Sequence, residues 1–270
     1  MLSNIIQGII QGLTEFLPVS SSGHLTLFQH FTGSHDLEAN IFTDIALHFG
    51  TLLAVIFYFR ADLLPFFTVS GLKDSKVRRL GMLIITASVP TAIIGLFFEK
   101  KFEAVFSSPS LVAIALFVTG LLLLISEKVK TRHNIDNPKN VTELTYAKAA
   151  IVGIAQGLAV TPGISRSGST IAAGLLFNLK GEDAARFSFL LMIPAVGGAT
   201  LLHVLKVFKT GIPSSVDLPA LMLGMIAAAI TGFLSLRFLS YIIKKQKLSY
   251  FAYYLFAVSL TALFFINFAG

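Results

Sequence analysis

Long apolar segments separated by short polar connections make up most of the chain. A helix needs about 20 residues to cross the apolar core of a bilayer, and six uninterrupted segments approach or reach that length. The six segments are 41–59, 80–98, 111–126, 186–206, 218–243 and 250–268. The pattern therefore predicts an all-α polytopic membrane protein with six transmembrane helices.

Two further apolar segments, 2–30 and 147–178, are each interrupted midway by Pro, Ser and Gly residues. Neither half of such a segment is long enough to cross a bilayer. A helix, a turn and a second helix that enter and leave the membrane on one side fit better. Such re-entrant backbone is tolerated where it is buried in protein or lines a wet cavity. We therefore expect two re-entrant helix–loop–helix hairpins, called hairpin one (2–30) and hairpin two (147–178).

The two hairpins carry related sequences. Gln-Gly-Leu at 11–13 recurs at 156–158, and Ser-Ser-Ser-Gly at 20–23 recurs as Ser-Arg-Ser-Gly at 165–168. Both matches are separated by 145 positions. The polar stretches 11–24 and 156–170 are therefore predicted to form one active site from two related halves.

A weaker match relates Leu-Phe at 116–117 to Leu-Phe at 255–256, so the repeat extends beyond the hairpins. We expect a single membrane domain, 1–270, made of repeat one at about 1–130 and repeat two at about 145–270. Each repeat contains one hairpin and three spans. Because three is odd, the second repeat is predicted to be inverted relative to the first.

The distribution of Lys and Arg orients this arrangement, because cytoplasmic loops carry an excess of both. Connections on one side hold most of the basic residues, and they are 60–79, 127–148 and the lysines within 244–247. Connections on the other side are acidic or nearly neutral, and they are 31–44, 99–110 and 206–217. The basic side is then cytoplasmic, and both termini are predicted on the outer face. Hairpin one enters from outside and hairpin two from the cytoplasm.

Composition favours membrane lipids over nucleic acid as the surroundings of this chain. Hydrophobic residues make up 54% of the 270 residues and charged residues 13%, whereas soluble domains carry about 25% charged residues. The net charge of +7 comes from basic residues in the connections, so no nucleic-acid partner is expected. The chain has no Cys, which excludes disulfides, thiolate metal sites and thiol catalysis.

Few charged residues fall inside the apolar segments. Glu15 lies in hairpin one and Arg166 in hairpin two, while Arg237 lies close enough to a cytoplasmic end to reach the interface. An ionisable residue inside the membrane indicates a functional site, and here each hairpin contributes one sign. His48 and His203 are interpreted as structural.

One face of the first helix in hairpin one carries possible metal ligands. Gln11 and Glu15 are four residues apart and therefore share a helix face, and Pro18 ends that helix. Oxygen atoms are the ligands that Mg²⁺ and Ca²⁺ prefer, and such an ion bridges phosphate oxygens. We therefore predict a divalent cation, Mg²⁺ or Ca²⁺, held by Glu15 and Gln11.

Three serines and a histidine follow in hairpin one. Ser20, Ser21 and Ser22 stand where a second helix begins, and His24 follows within one turn. A hydroxyl nucleophile beside a base is the arrangement that nucleophilic catalysis needs. The residues alone leave open which of the three serines is the nucleophile.

Hairpin two repeats the design with an arginine. Ser165, Arg166, Ser167 and Thr170 surround another predicted helix N-terminus. A guanidinium beside hydroxyls and free N–H groups binds phosphate. The two hairpins together therefore predict phosphoryl transfer or hydrolysis at an anionic substrate. Ser165, Ser167, Thr170 and the two of Ser20, Ser21 and Ser22 that are not the nucleophile are expected to join Arg166 in binding that substrate.

At these residues the sequence resembles the undecaprenyl-diphosphate phosphatase family, which is also known for bacitracin resistance. The stretch from Gln11 to Glu15 matches the family pattern (E/Q)xxxE, and the stretch from Pro18 to His24 matches PxSSxGH. The stretch from Pro162 to Thr170 matches PGxSRSxxT at every fixed position. Length and hydropathy fit over essentially the whole chain.

The resemblance implies an activity and roles for individual residues. It implies a metal-dependent enzyme of the bacterial cytoplasmic membrane that removes one phosphate from undecaprenyl diphosphate and so recycles a lipid carrier for cell-wall synthesis. It assigns the nucleophile to Ser21, the partner base to His24, the acidic residue to Glu15 and diphosphate binding to Arg166. Many family members have a second Glu where this chain has Gln11, which weakens the metal role at that position.

Three questions stay open at this point. Metal-bound water, with Ser21 only as a ligand, is an alternative nucleophile. A secondary transporter or lipid flippase is an alternative function, because inverted repeats with broken helices are the usual plan of transporters. The substrate is expected to be a polyprenyl diphosphate lipid, and a homodimer is possible.

Overall fold

The computed structural model describes residues 1–132, 137–242 and 247–268, and helices account for most of them. The helices are α1 (Leu2–Phe16), α2 (Ser21–Phe31), α3 (Leu37–Tyr58), α4 (Arg60–Leu63), α5 (Val69–Lys73), α6 (Ser75–Phe106), α7 (Pro109–Arg132), α8 (Tyr146–Leu158), α9 (Arg166–Leu176), α10 (Gly181–Thr210), α11 (Leu218–Ile242) and α12 (Ser249–Phe268). Short 3₁₀ helices lie at Leu64–Phe67 and Val141–Glu143.

Six of these helices are long and apolar enough to span a membrane, which confirms the prediction of an all-α membrane protein with six spans. They are α3, α6, α7, α10, α11 and α12. Several continue beyond their predicted bounds, as α6 and α7 do, because polar flanks with Glu and Lys still favour helix. Residue 243, at the end of one predicted span, and the lysines at 244 and 245 lie outside the described residues.

The outer surface of the helices is apolar. Phe97 and Phe208 are 83% and 84% exposed, and each spanning helix buries less than half of its most apolar window. An apolar surface of this extent is unfavourable in water. The chain is therefore a multi-pass membrane protein.

Each predicted hairpin is broken into two helices. Hairpin one consists of α1 and α2, and Leu17 between them is extended, with ψ of 145°, as expected before a proline. Hairpin two consists of α8 and α9, and its turn contains Gly163 with φ of +89°. At 1.5 Å per residue the 11-residue helices α2 and α9 are about 16 Å long. Such lengths are consistent with re-entry, while the direction of entry stays a prediction.

The first helix of each hairpin packs tightly on a spanning helix from the other half of the chain. Helix α1 lies along α11, and α8 lies along α6. A Cβ added to Gly8 would lie 2.1 Å from the carbonyl oxygen of Gly224, and one added to Gly153 would lie 1.9 Å from that of Ala87. Glycine thus permits both close approaches, and the two glycines are related by the same 145-residue spacing as the motifs.

The start of α3 differs from the sequence prediction. The connection predicted at 31–44 ends earlier, because Asp36 caps a helix that begins at Leu37 and accepts a hydrogen bond from Ala39 N at 3.1 Å. Asp44 is therefore part of a spanning helix, and it is buried. It is an intramembrane carboxyl group that the charge count placed in the connection 31–44, although the predicted span 41–59 also includes it.

Substituting Gly8 tests the packing of α1 on α11. Gly8→Ala is expected to lower stability by about 1–3 kcal/mol, as overpacking does. Gly95→Ala in α6 is the matched control, because a Cβ there meets nothing within 4 Å and alanine favours helix by up to about 1 kcal/mol. Since the chain contains neither Trp nor Cys, melting is best followed by size-exclusion chromatography of heated GFP fusions. Equal melting temperatures for the two variants would contradict the close contact.

Candidate active site

The tips of the two hairpins touch one another. Arg166 Nη2 donates to Glu15 Oε1 at 2.8 Å, and Ser167 Oγ donates to the carbonyl oxygen of Leu17 at 2.9 Å. The side chain of Glu15 is 4% exposed and that of Arg166 14%. The two intramembrane charges that the sequence left unexplained are therefore an ion pair across the contact.

Glu15 is the centre of this site. Its Oε2 accepts from Ser21 Oγ at 2.5 Å and from Gln11 Nε2 at 3.1 Å, and it lies 3.3 Å from His48 Nε2. A buried carboxylate is costly unless it is paired and hydrogen-bonded. Four side chains, one each from α1, α2, α3 and α9, meet that requirement here.

His48 was interpreted as structural, and the structure places it in the site. Its Nδ1 lies 2.7 Å from the carbonyl oxygen of Asp44. Because a carbonyl only accepts, Nδ1 carries a proton and Nε2 is the atom that meets Glu15. The signal in the sequence was the spacing of Asp44, His48 and Thr51, which place three polar residues on one face of an otherwise apolar helix.

Asp44 extends the network away from Glu15. Gln29 Nε2 donates to Asp44 Oδ1 at 2.8 Å and to Gln7 Oε1 at 3.0 Å, and all three side chains are buried. Gln7, Gln11 and Glu15 recur every four residues along α1, so they form a polar stripe that faces α3. Of the three residues in this stripe, the sequence pattern had indicated only Gln11 and Glu15 as site residues.

Ser21 and His24 are not paired in the way that the resemblance implied. The Ser21 hydroxyl donates to Glu15. The ring of His24 is held elsewhere, with Nδ1 2.8 Å from the carbonyl oxygen of Ser20 and Nε2 2.8 Å from the Tyr254 hydroxyl. Glu15 is therefore the group placed to take a proton from Ser21, and Tyr254 is a site residue that the sequence did not indicate.

The serines beside the turns act as helix caps. Ser20 Oγ accepts from Gly23 N at 3.3 Å, and Ser165 Oγ accepts from Gly168 N at 3.0 Å. Ser22 Oγ lies 3.4 Å from Ser20 Oγ. Ser20 has φ of +68°, which L-residues seldom adopt and which tends to mark functional turns. The caps fix the N-termini of α2 and α9 at the contact between the hairpins.

Helix α10 supports the arginine. Arg166 Nη1 donates to the carbonyl oxygen of Ser188 at 3.0 Å, and Thr170 Oγ1 lies 2.6 Å from Ser188 Oγ. Thr170 also donates to the carbonyl oxygen of Arg166 at 2.8 Å. Ser165 Oγ and Ser167 Oγ are 3.2 Å apart beside them. The two contacts that Arg166 makes use two of its five N–H donors, so up to three remain for a ligand.

The donor set around Glu15 fits a hard divalent cation. Gln11 Oε1 is buried without a hydrogen-bond partner, and it stands beside a carboxylate. In the described part of the chain, no three His, Asp or Glu side chains form a metal cluster of their own. Mg²⁺ in particular is commonly bound through one or two carboxylates together with substrate phosphates, and this arrangement offers those ligands.

Comparison with known proteins identifies the family of this chain. Residues 4–261 match the family model described as "Bacitracin resistance protein BacA". A protein of Halothermothrix orenii named undecaprenyl-diphosphatase is 44% identical over 256 residues, which cover 95% of this chain and 94% of the relative. Relatives with the same name from Alkaliphilus metalliredigens and Methanococcus vannielii are 42% and 38% identical, and each alignment covers at least 94% of both chains. The chain therefore belongs to the BacA family of bacitracin resistance proteins.

Proposed function

We propose that this protein is an undecaprenyl-diphosphatase, which hydrolyses undecaprenyl diphosphate to undecaprenyl phosphate and phosphate and so recycles the lipid carrier for cell-wall synthesis. The observation that carries the proposal is the convergence of Ser21, Glu15 and Arg166 at the contact of the hairpins. The names of the relatives support it. They give no support to a transporter or flippase as the alternative function.

Binding of the diphosphate uses both hairpins. Arg166 neutralises phosphate oxygens, and the N-termini of α2 and α9 add positive helix ends. Ser20, Ser22, Ser165, Ser167 and Thr170 shape this site mainly through the caps and through the support of Arg166. On binding, the phosphate competes with Glu15 for Arg166, so the carboxylate gains basicity at the moment when Ser21 needs a base.

The chemical steps follow from the hydrogen bonds. Ser21 Oγ attacks the terminal phosphorus while Glu15 accepts its proton, and the bond from phosphorus to the bridging oxygen breaks to release undecaprenyl phosphate. Water then attacks the phosphoserine, with His24 Nε2 accepting a proton, and phosphate leaves as Ser21 regains its hydrogen from Glu15. His24 follows Ser21 by three residues on α2, so both side chains lie on the same face of that helix.

A divalent cation fits this scheme as a neutralising group. Glu15 and Gln11 would hold Mg²⁺ or Ca²⁺ together with oxygens of the substrate. When bound, the ion supplies positive charge to the phosphate oxygens. Ser21, His24 and Arg166 keep their roles in attack, proton transfer and binding.

We also propose where the protein lies in the cell and how its two repeats are arranged. The protein lies in the bacterial cytoplasmic membrane among lipids, with both termini on the outer face. Its single domain, 1–270, consists of two inverted repeats, at about 1–130 and 145–270. The excess of Lys and Arg in the connections assigned to the cytoplasm supports this orientation, and the 145-residue spacing of Gly8 and Gly153 supports the repeat.

Phosphate release tests the activity. Purified protein in detergent is expected to release phosphate from undecaprenyl diphosphate, and Arg166→Ala and Ser21→Ala are each expected to reduce the rate by at least about 100-fold. Ser88→Ala is the matched control, because Ser88 bonds only to its own helix at Ile84.

Acid quenching with terminally ³²P-labelled substrate should yield labelled protein. Absence of label together with substantial activity in Ser21→Ala would exclude Ser21 as the nucleophile.

Metal dependence tests the role of position 11. A chelator is expected to abolish activity, and added Mg²⁺ or Ca²⁺ to restore it. Gln11→Glu is expected to lower the metal concentration for half-maximal activity by about tenfold, because affinity rises with the number of charged ligands. Gln11→Leu should raise that concentration. If neither variant changes the metal requirement, Gln11 is not a ligand.

Cysteine labelling tests the orientation. The chain has no Cys, so a single introduced thiol reports its own side of the membrane. His35→Cys is expected to react with a membrane-impermeant maleimide in intact spheroplasts, and Lys76→Cys only after lysis. Both native side chains are exposed. The opposite labelling pattern would reverse the proposed topology.

A further inference from the structure

A tyrosine from the last helix meets the histidine of hairpin one. The rings of Tyr254 and His24 are nearly parallel, at 2°, with centroids 5.6 Å apart. The Tyr254 hydroxyl lies 2.8 Å from His24 Nε2. The two residues are 230 positions apart in the chain, so this contact depends on how α12 packs.

The two contacts of His24 fix the tautomer of its neutral ring. Nδ1 faces the carbonyl oxygen of Ser20 at 2.8 Å, and because a carbonyl only accepts, Nδ1 carries the proton of the neutral ring. Nε2 then holds a lone pair, to which the Tyr254 hydroxyl donates. A base must present such an unprotonated nitrogen, so the contact prepares His24 for the role proposed above.

The position of Tyr254 is not explained by packing of the core. On α12, the neighbouring Ala252 and Leu255 are fully buried, whereas Tyr254 is 45% exposed. Nearly half of the Tyr254 side chain therefore lies outside the interior. Its hydroxyl nevertheless has a defined partner in the site.

The other half of the chain lacks an equivalent pair. In the register of the repeat, His24 corresponds to Ser169, and Tyr254 on α12 corresponds to Ala115 on α7. Ala115 instead lies against the turn at Gly163. The hydrogen-bonded aromatic pair is therefore not required by the helix arrangement and belongs only to the hairpin that carries Ser21.

We propose that Tyr254 is a positioning residue for His24 in the hydrolysis of the phosphoserine, an inference that rests on the proposed function. Its hydroxyl donates to Nε2, its ring holds the imidazole in one orientation, and the lone pair stays unprotonated until water replaces the hydroxyl. The last helix of the second repeat thereby completes the catalytic hairpin of the first.

The test replaces the hydroxyl and keeps the ring. Tyr254→Phe is expected to lower kcat for phosphate release about tenfold, because His24 loses the hydrogen bond that orients Nε2 before water replaces the hydroxyl, and to leave KM within about twofold. Tyr253→Phe is the matched control, because Tyr253 is the adjacent and more exposed tyrosine; its kinetics should equal those of the wild type. Both variants should have the same melting temperature as the wild type, which excludes loss of folded protein as the cause of a lower kcat.

A second measurement does not depend on activity. In ¹⁵N-histidine-labelled protein, with His24 assigned from a His24→Gln sample, Tyr254→Phe should move the Nε2 resonance toward that of a nitrogen without a donor. Unchanged kcat in an active enzyme, or an unchanged Nε2 resonance, overturns the inference. A wild type that releases no phosphate overturns the proposed function instead, and the resonance then still decides whether Tyr254 holds His24.

Discussion

Glu15 and Arg166 bring opposite charges into a protein whose outer surface is apolar. Moving one charged group from water into such an interior costs several kcal/mol even after relaxation, and each of these charges offsets part of that cost for the other. Their ion pair at 2.8 Å therefore makes the contact of the two hairpin tips a requirement of the fold. The same contact brings the Ser21 hydroxyl and the N-termini of α2 and α9 to one place. The interaction that stabilises the fold is also the one that a phosphate can displace.

The hairpins share a backbone plan but have different chemistry. Ser20 and Ser165 cap α2 and α9, the second helices of the two hairpins. In both hairpins the cap fixes the helix N-terminus at the turn. Hairpin one adds Glu15 and Ser21, to which we assign the transfer of a proton and of a phosphoryl group, while hairpin two adds Arg166, to which we assign the neutralisation of charge. The site is thus asymmetric at the level of side chains although its helices are arranged alike.

The sequence predicted those features that depend on local composition. Lengths of apolar segments gave the six spans, and Pro and Ser in the turns gave the breaks in the hairpins. Glu15 and Arg166 were singled out because an isolated charge inside the membrane is costly, but their direct contact is known only from the structure. Mean hydropathy could not predict that the site includes His48, Ser188 and Tyr254. The rotation of a spanning helix about its axis is set by packing and does not change its mean hydropathy. The proximity of Ser21 and His24 in the sequence was misleading for a related reason, since the imidazole is oriented by Ser20 and by a tyrosine 230 positions away.

The glycine contacts of Gly8 with Gly224 and of Gly153 with Ala87 have a mechanical consequence. Each contact packs a hairpin against a spanning helix from the opposite half of the chain. The two halves of the sequence are therefore intertwined in the fold. Rocking one half of the sequence against the other as rigid bodies, which is how many inverted-repeat transporters alternate their access, would break both contacts. A movement that opens the site while preserving them runs instead between two mixed units, α1 with α11 and α8 with α6. A movement that keeps both contacts would therefore not follow the boundary between the two halves of the sequence.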